Sequence, residues 1–189
     1  SQSNVNLGDL TASNGAISVT NTSGGDVILD SVLNAQNSTI TINAANGDIS
    51  QSHTNPSMIS GGDITLLAQN VGSDSQYINT QAGGNVNADG ANIYIESNQD
   101  SFKIGNINSG SAYTNNTVNI KSNQGDVVLN GLVKGNAVDI DSARNVTQDS
   151  SLDKSVEADT ITFNTQNGNI GSADNRIDMS VTGAVNVEN

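Results

Sequence analysis

The ten residues Ile40-Thr-Ile-Asn-Ala-Ala-Asn-Gly-Asp-Ile49 decide the fold, because they join a strand signal to a turn signal. Apolar Ile40 and Ile42 flank the polar Thr41, and this alternation with a period of two is typical of a half-buried β-strand. The doublet Asn46-Gly47 follows and favours a tight turn. A short strand, a turn and the start of a second strand are therefore predicted within this stretch.

The apolar–polar–apolar triplet of this stretch recurs along the whole chain of 189 residues. The triplets return at similar intervals: Ile17-Val19, Ile40-Ile42, Ile64-Leu66, Ile93-Ile95, Val118-Ile120, Val138-Ile140 and Ile161-Phe163. Two further apolar series follow the triplets, so each unit holds three short strands. Antiparallel hairpins would explain the Asn-Gly doublets, but not a three-strand unit that returns every ~23 residues. The sequence therefore predicts a single all-β domain over residues 1–189, a right-handed parallel β-helix of about eight coils.

The alternation also predicts which side chains face the solvent. The middle residues of the triplets are expected to form one outward column: Ser18, Thr41, Thr65, Tyr94, Asn119, Asp139 and Thr162. Polar stretches that interrupt the repeat predict loop insertions near 73–92, 98–117 and 147–155. In solenoids such insertions project from one edge and often carry recognition.

Composition excludes several classes of protein. Six Lys and Arg residues stand against 19 Asp and Glu residues, which gives a net charge of -13. So few scattered cations cannot form the basic patch that nucleic-acid binding requires. No apolar run approaches the ~18 residues of a membrane-spanning helix. The absence of Cys excludes disulfides and Cys-based zinc sites.

No catalytic, cofactor-binding or metal site is predicted, and the chain is expected not to be an enzyme. The single histidine, His53, has no second His or Cys at ligand spacing. Enzymes with a β-helix fold that act on acidic polysaccharides need clustered carboxylates and a cation. Here the carboxylates are spread along the chain, and Arg144 and Arg176 are the only arginines. The Gly-Gly-x-Gly-x-Asp calcium repeat is absent.

One acidic group is an exception to this even spread. Asp139 and Asp141 point to the same face of one predicted strand, and Asp153, Lys154 and Glu157 follow in the next loop. These residues are candidates for one weak acidic cluster. The alternative is an ordinary solvated face.

Three tyrosines are the candidate ligand contacts. Tyr94 points outward by its place in the alternation, and Tyr77 and Tyr113 lie in or next to the two longest predicted insertions. Exposed aromatic rings commonly stack on sugars or anchor protein interfaces. The alternative is that the rings cover the hydrophobic edges of the insertions.

The repeats resemble those of filamentous haemagglutinin-type adhesins. The resemblance is carried by Ile40–Ile49, by Gly61-Gly-Asp-Ile-Thr-Leu-Leu-Ala-Gln-Asn-Val71, and by Ile161-Thr-Phe-Asn-Thr-Gln-Asn-Gly-Asn-Ile-Gly-Ser-Ala-Asp-Asn175. The secretion domain of that family carries Asn-Pro-Asn motifs, whereas this chain has only Asn55-Pro56-Ser57. The resemblance therefore implies a fragment of the shaft rather than the secretion domain.

The family is one of large exoproteins of Gram-negative bacteria, exported by two-partner or related type V secretion. The resemblance implies a secreted shaft, held at the cell surface, that serves adhesion, biofilm formation and virulence. Its implied partners are a host-cell receptor, glycan or matrix component, and an outer-membrane secretion partner for the parent protein. The alternative function is that of a carbohydrate-binding or polysaccharide-degrading β-helix module.

Overall fold

The computed structural model describes residues 2–44, 46–52, 57–110 and 115–188, and over these residues the chain is a right-handed parallel β-helix of about eight turns. The predicted fold class is therefore confirmed. These ranges contain strands, turns and bends, and within them no helix is long and apolar enough to cross a bilayer.

Twenty-three short strands make up the described coils. In chain order they are β1 (Val5–Leu7), β2 (Leu10–Thr11), β3 (Ile17–Thr20), β4 (Val27–Leu29), β5 (Val32–Asn34), β6 (Ile40–Asn43), β7 (Ile49–Gln51), β8 (Met58–Gly61), β9 (Ile64–Leu67), β10 (Asn70–Val71), β11 (Ile78–Ala82), β12 (Val86–Gly90), β13 (Asn92–Ser97), β14 (Ser101–Ser109), β15 (Thr117–Ser122), β16 (Asp126–Leu129), β17 (Val133–Lys134), β18 (Ala137–Ser142), β19 (Val146–Gln148), β20 (Val156–Ala158), β21 (Thr160–Thr165), β22 (Met179–Val181) and β23 (Val185–Glu188).

The strands stack into three parallel sheets that form the sides of the helix. The first sheet runs in the order β1, β4, β7, β10, β13, β15, β18, β21, β23. The second sheet is β2, β5, β8, β11, and it is joined to the first sheet because β11 also pairs with β13. The third sheet is β3, β6, β9, β12, β14, after which β16 and β19 continue from one half of β14, and β17, β20 and β22 continue from the other.

The inward positions of the first sheet repeat with a constant step in the first four coils. Val5 pairs with Val27, Val27 with Ile49, Ile49 with Val71 and Val71 with Ile93, and the distance along the chain is the same in every pair. A constant step keeps every coil the same length. The apolar side chains therefore stack directly on one another and bury a continuous core.

The core has the inward and outward parity that the alternation predicts. Ile40 and Ile42 are fully buried, while Thr41 between them is partly exposed. Phe102 and Phe163 are the largest fully buried side chains. A one-residue slip would exchange the two faces of a strand, so this pattern fixes the sheet register.

The predicted single outward column is wrong, because the triplets lie on two different sheets. Ser18 pairs with Thr41 and Thr41 with Thr65 in the third sheet, whereas Tyr94 and the later members belong to the first sheet. The triplets change from the third sheet to the first sheet between Ile64 and Ile93. A triplet looks the same on either side of a coil, so its spacing does not reveal which sheet it joins.

Two of the three predicted loop insertions contain regular strands. Residues 73–92 hold β11 and β12, and residues 98–117 hold β14, whose nine residues make it the longest strand. Their inward positions include small or polar residues such as Thr80, Ala88 and Ser109. The apolar–polar alternation that predicts a strand is therefore missing from their sequence. Residues 149–155 do connect β19 to β20 without a strand.

A side-chain ladder holds the corner before the first sheet. Asp26 Oδ1 accepts a hydrogen bond from the backbone N–H of Asp48 at 3.0 Å, and Asp48 Oδ1 accepts one from the N–H of Asn70 at 3.0 Å. Asn70 Oδ1 in turn accepts a 2.9 Å hydrogen bond from Asn92 Nδ2. The ladder follows the same step along the chain as the inward column, so each coil satisfies the polar corner of the next.

Candidate functional site

The first sheet becomes broad in its second half. β13, β15, β18 and β21 each have six residues, compared with two or three in β1, β4, β7 and β10. Their in-register pairing aligns two of the three outward positions of each strand in columns that continue onto β23. One column is Tyr94, Asn119, Asp139, Thr162 and Asn186, and the other is Glu96, Lys121, Asp141, Asn164 and Glu188. We call these two columns, together with Tyr77, the long-strand face.

Tyr77 and Tyr94 form an aromatic pair at one edge of this face. Ile78 pairs with Ile95 across the ladder, which brings the preceding residues of the two strands side by side. The ring centroids lie 5.6 Å apart with an interplanar angle of 79°, an edge-to-face arrangement. Such pairs contribute about 0.5–1.5 kcal/mol beyond the area they bury.

The side chain of Gln51 fixes the backbone that carries Tyr77. Gln51 Nε2 donates to the carbonyl oxygen of Tyr77 at 2.6 Å, and Gln51 Oε1 accepts from the N–H of Asn79 at 3.0 Å. The tyrosine is therefore held by two hydrogen bonds on either side of Ile78, from a strand of the preceding coil. Nothing in the local sequence around Gln51 indicates this role.

Of the three tyrosines predicted as ligand contacts, two come together. Tyr77 and Tyr94 are both partly exposed on the long-strand face. Tyr113 lies outside the described residues. Burial raises the pKa of Tyr77 to about 12, and the nearby carboxylates of Asp141 and Asp139 contribute to the same shift. Burial also raises the pKa of Tyr94, so both phenols are neutral hydrogen-bond donors at physiological pH.

Asp139 lies at the centre of the face in an unfavourable electrostatic environment. Burial raises its pKa to about 6, and the carboxylates of Asp141 and Glu188 contribute to this effect. Asp141 lies on the same strand and Glu188 on β23, and like charges nearby disfavour ionisation in this way. Asp139 therefore carries a charge at neutral pH that its surroundings do not compensate.

The long-strand face carries a local excess of negative charge. It holds four carboxylates, on Glu96, Asp139, Asp141 and Glu188, and one ammonium group, on Lys121, which leaves a net charge of -3. Among the ion pairs of the described residues, none involves a residue of this face.

The acidic cluster expected from the sequence does not form, because Asp153 and Lys154 lie in the connection between β19 and β20 and the other three residues lie on two different sheets. Asp139 and Asp141 share the outward side of β18, as predicted. Glu157 lies instead in β20 of the third sheet, where Lys134 and Lys154 each approach its carboxylate at 2.8 Å. Hydrogen bonds from these two ammonium groups lower the pKa of Glu157 to about 2. The chain turns a corner between β18 and β20, which separates the two groups.

The described ranges contain no group of three or more His, Asp or Glu side chains placed to hold a metal ion. Arg144 binds Asp100 through a 2.7 Å ion pair on the surface. His53 lies outside the residues that the structure describes.

A polar groove follows the corner next to β17, β20 and β22. Its volume is about 590 Å³, and its lining includes Lys134, Asn136, Glu157, Asp159 and Thr182. Thr182 Oγ1 donates to Asp159 Oδ1 at 2.6 Å, and Asn136 is exposed beside them. The groove therefore offers hydroxyl, amide, carboxylate and ammonium groups within one depression.

Together these features define a parallel β-helix protein with one broad acidic and aromatic face and one polar corner groove. No protein-family model matches the chain, and neither a curated protein nor a solved structure is significantly similar to it. The resemblance to adhesin repeats therefore rests on the sequence segments quoted above.

Proposed function

We propose that this chain is a structural and adhesive segment of a secreted bacterial surface adhesin. It acts as an elongated shaft that presents loops for attachment to host cells or within a biofilm. The parent protein reaches the surface of a Gram-negative cell through an outer-membrane secretion partner. The observation that carries the proposal is the uninterrupted stack of nine strands in the first sheet, from β1 to β23.

A stack of this kind suits a spacer. Each coil adds one strand spacing of ~4.8 Å, so about eight coils give a rod of roughly 40 Å. Every coil buries its apolar side chains against its neighbours, so the stack is lengthened by the addition of coils. The corners leave room for loops that vary in length, as residues 149–155 do.

Surface display tests this proposal. The chain is expressed as the passenger of a type V transporter on a non-adherent Gram-negative strain, and attachment to epithelial cells and to plastic is counted. The transporter without the chain is the matched control. We expect displayed cells to attach in greater numbers and antibodies against the chain to label intact cells. Labelled cells that attach no better than the control would overturn the adhesive role.

The proposal also holds that the chain is not an enzyme. Purified protein incubated with polygalacturonate and other acidic polysaccharides is expected to release no new reducing ends. Release that depends on a carboxylate of this chain would assign it to the polysaccharide-degrading class instead.

The polar groove favours carbohydrate binding as a second candidate function. Its mixture of hydroxyl, amide and charged groups matches the hydrogen-bonding needs of a sugar. A glycan array compares the wild type with Asp159→Ala in the groove and with Asp153→Ala, an exposed residue outside it. Binding that only Asp159→Ala removes would support this candidate, and an empty array would reject it.

A further inference from the structure

The carboxylates of the long-strand face follow a regular geometric pattern. In one column Glu96, Lys121, Asp141, Asn164 and Glu188 occupy five successive strands. Carboxylates therefore stand on the first, third and fifth strands. Because adjacent strands lie ~4.8 Å apart, the three carboxylates are spaced by ~9.6 Å along the solenoid axis.

This spacing matches a common extended peptide conformation. A polyproline II helix has three residues per turn and a rise of ~3.1 Å per residue, so every third side chain points the same way at intervals of ~9.3 Å. A peptide that lies along the axis with a cation at every third residue would place one cation at each of the three carboxylates. A single small cation would reach only one of them.

We infer that the long-strand face is a docking surface for a Lys- or Arg-rich polypeptide segment with a cationic side chain at every third residue, aligned along the solenoid axis over Glu96, Asp141 and Glu188. Charge complementarity selects this partner, since the face has a net charge of -3 and its carboxylates form no ion pair within the described part of the chain. The sheet is continuous and in register over β13, β15, β18, β21 and β23, as an extended partner requires.

Two local features add to the attraction at particular strands. On β18, Asp139 and Asp141 stand two residues apart on the same side, so one cation there contacts two carboxylates. Burial and the charges of Asp141 and Glu188 hold the pKa of Asp139 high, and a bound cation relieves that repulsion. On β13, a cation at Glu96 lies beside the ring of Tyr94, where cation–π attraction operates within ~6 Å.

The test uses the whole chain and a labelled peptide of four Lys-Pro-Pro triplets, with fluorescence anisotropy at physiological ionic strength. A second peptide has the same composition with its four lysines adjacent. We expect the spaced peptide to bind at least about tenfold more tightly, because only its charges match the strand spacing. Equal affinity for the two peptides would show that only net charge is sensed and would overturn the inference.

Matched variants locate the surface. Asp141→Asn with Glu188→Gln removes two charges from the face, and Asp153→Asn with Asp174→Asn removes two exposed charges elsewhere. We expect the first pair to weaken binding about tenfold and the second to change it less than about twofold, because only the first removes charges that contact the peptide. An equal loss in both pairs would refute the site.

A gain of binding excludes misfolding as the explanation. Lys121→Glu adds a carboxylate between Glu96 and Asp141, and we expect it to tighten peptide binding. Unchanged or weaker binding in a folded Lys121→Glu protein contradicts the inference. Recognition of a glycan through Tyr94, with no affinity for either peptide, would assign the face to carbohydrate instead and would equally overturn it.

Discussion

Replacement of Asp139 by Asn should stabilise the fold at neutral pH. Asp139 lies partly buried among the outward side chains of β18, and its carboxylate is repelled by those of Asp141 and Glu188. Asn has nearly the same shape and removes only the charge. The wild-type protein must ionise this group in unfavourable surroundings, whereas the variant does not.

The pKa of Asp139 sets the size and the sign of the effect. The difference between about 6 in the folded protein and its ordinary value of 3.8 corresponds to roughly 3 kcal/mol. Solvent screening at this half-exposed site reduces the expected gain to about 1.5 kcal/mol. Because the folded state holds the proton more tightly, the wild type loses stability as pH rises from about 4 to about 6 and does not regain it above.

Urea denaturation and thermal melting at two pH values check this prediction. At about pH 7.5 Asp139→Asn should unfold at a higher urea concentration and melt about 3–6 °C above the wild type, while at about pH 3.5 the two should coincide. Asp153→Asn removes a charge from an exposed position and should leave the stability nearly unchanged. A difference of the same size at both pH values would show that the charge of Asp139 is not its cause.

Three further predictions concern the core, the corner ladder and the sheet edges. Ile42→Asp should cost several kcal/mol in urea denaturation, because it buries an unpaired charge, while Thr41→Asp should be nearly silent; equal losses would contradict the register. Asn70→Ala should cost about 1 kcal/mol, since it removes the side-chain bonds to Asp48 and Asn92, and a loss below the error of the melt would mean that the ladder adds nothing. Sedimentation of this 189-residue chain should show association as salt rises, because Val185 and Val187 of β23 are exposed and β23 pairs only with β21 among the described strands, while the charge of -13 keeps copies apart at low salt; a strict monomer at about 1 M salt would reject this.

The sequence predicted the fold through two features that are directly encoded in it. The period-2 alternation identifies strands and their inward side, and Ile40 and Ile42 are buried as it requires. The recurrence of a three-strand unit indicates a parallel β-helix, because parallel strands need a crossover connection and hairpins do not supply it. Both features are local or periodic, so a single sequence is enough to recognise them.

The assignment of strands to sheets was not predictable from spacing. Every side of the coil has the same alternation, and the constant step along the first sheet ends at Ile93, whose next partner, Val118, lies further along the chain. The aromatic pair depends on the pairing of Ile78 with Ile95. These two residues are closer together in the sequence than Val71 and Ile93 or Ile93 and Val118. The sequence therefore identified Tyr77 and Tyr94 as candidate contacts but did not predict that their rings pack against each other.

The constant step in the first coils leads to a further prediction about modularity. Gly25-Asp26-Val27 and Gly47-Asp48-Ile49 stand at equivalent corners, and residues 27–48 contain one complete coil, β4, β5 and β6. Their removal joins Asp26 to Ile49 and restores the same corner sequence. Ile49 then takes the place of Val27, so β7 can pair with β1 in the register of the native β1–β4 pair.

The shortened protein should remain folded, as judged by its β-sheet circular dichroism spectrum and a cooperative melt. It should be one strand spacing shorter, ~4.8 Å, in small-angle scattering. Its affinity for the Lys-Pro-Pro peptide should not change, because the long-strand face begins at Tyr77.

Removal of residues 27–49, one residue more, puts Ser50 in the inward position of Ile49 and exchanges the faces of β7, so this variant should lose several kcal/mol of stability or fail to fold. Equal behaviour of the two deletions would show that the coils are not interchangeable units, and the spacer role of the first half would have no physical basis.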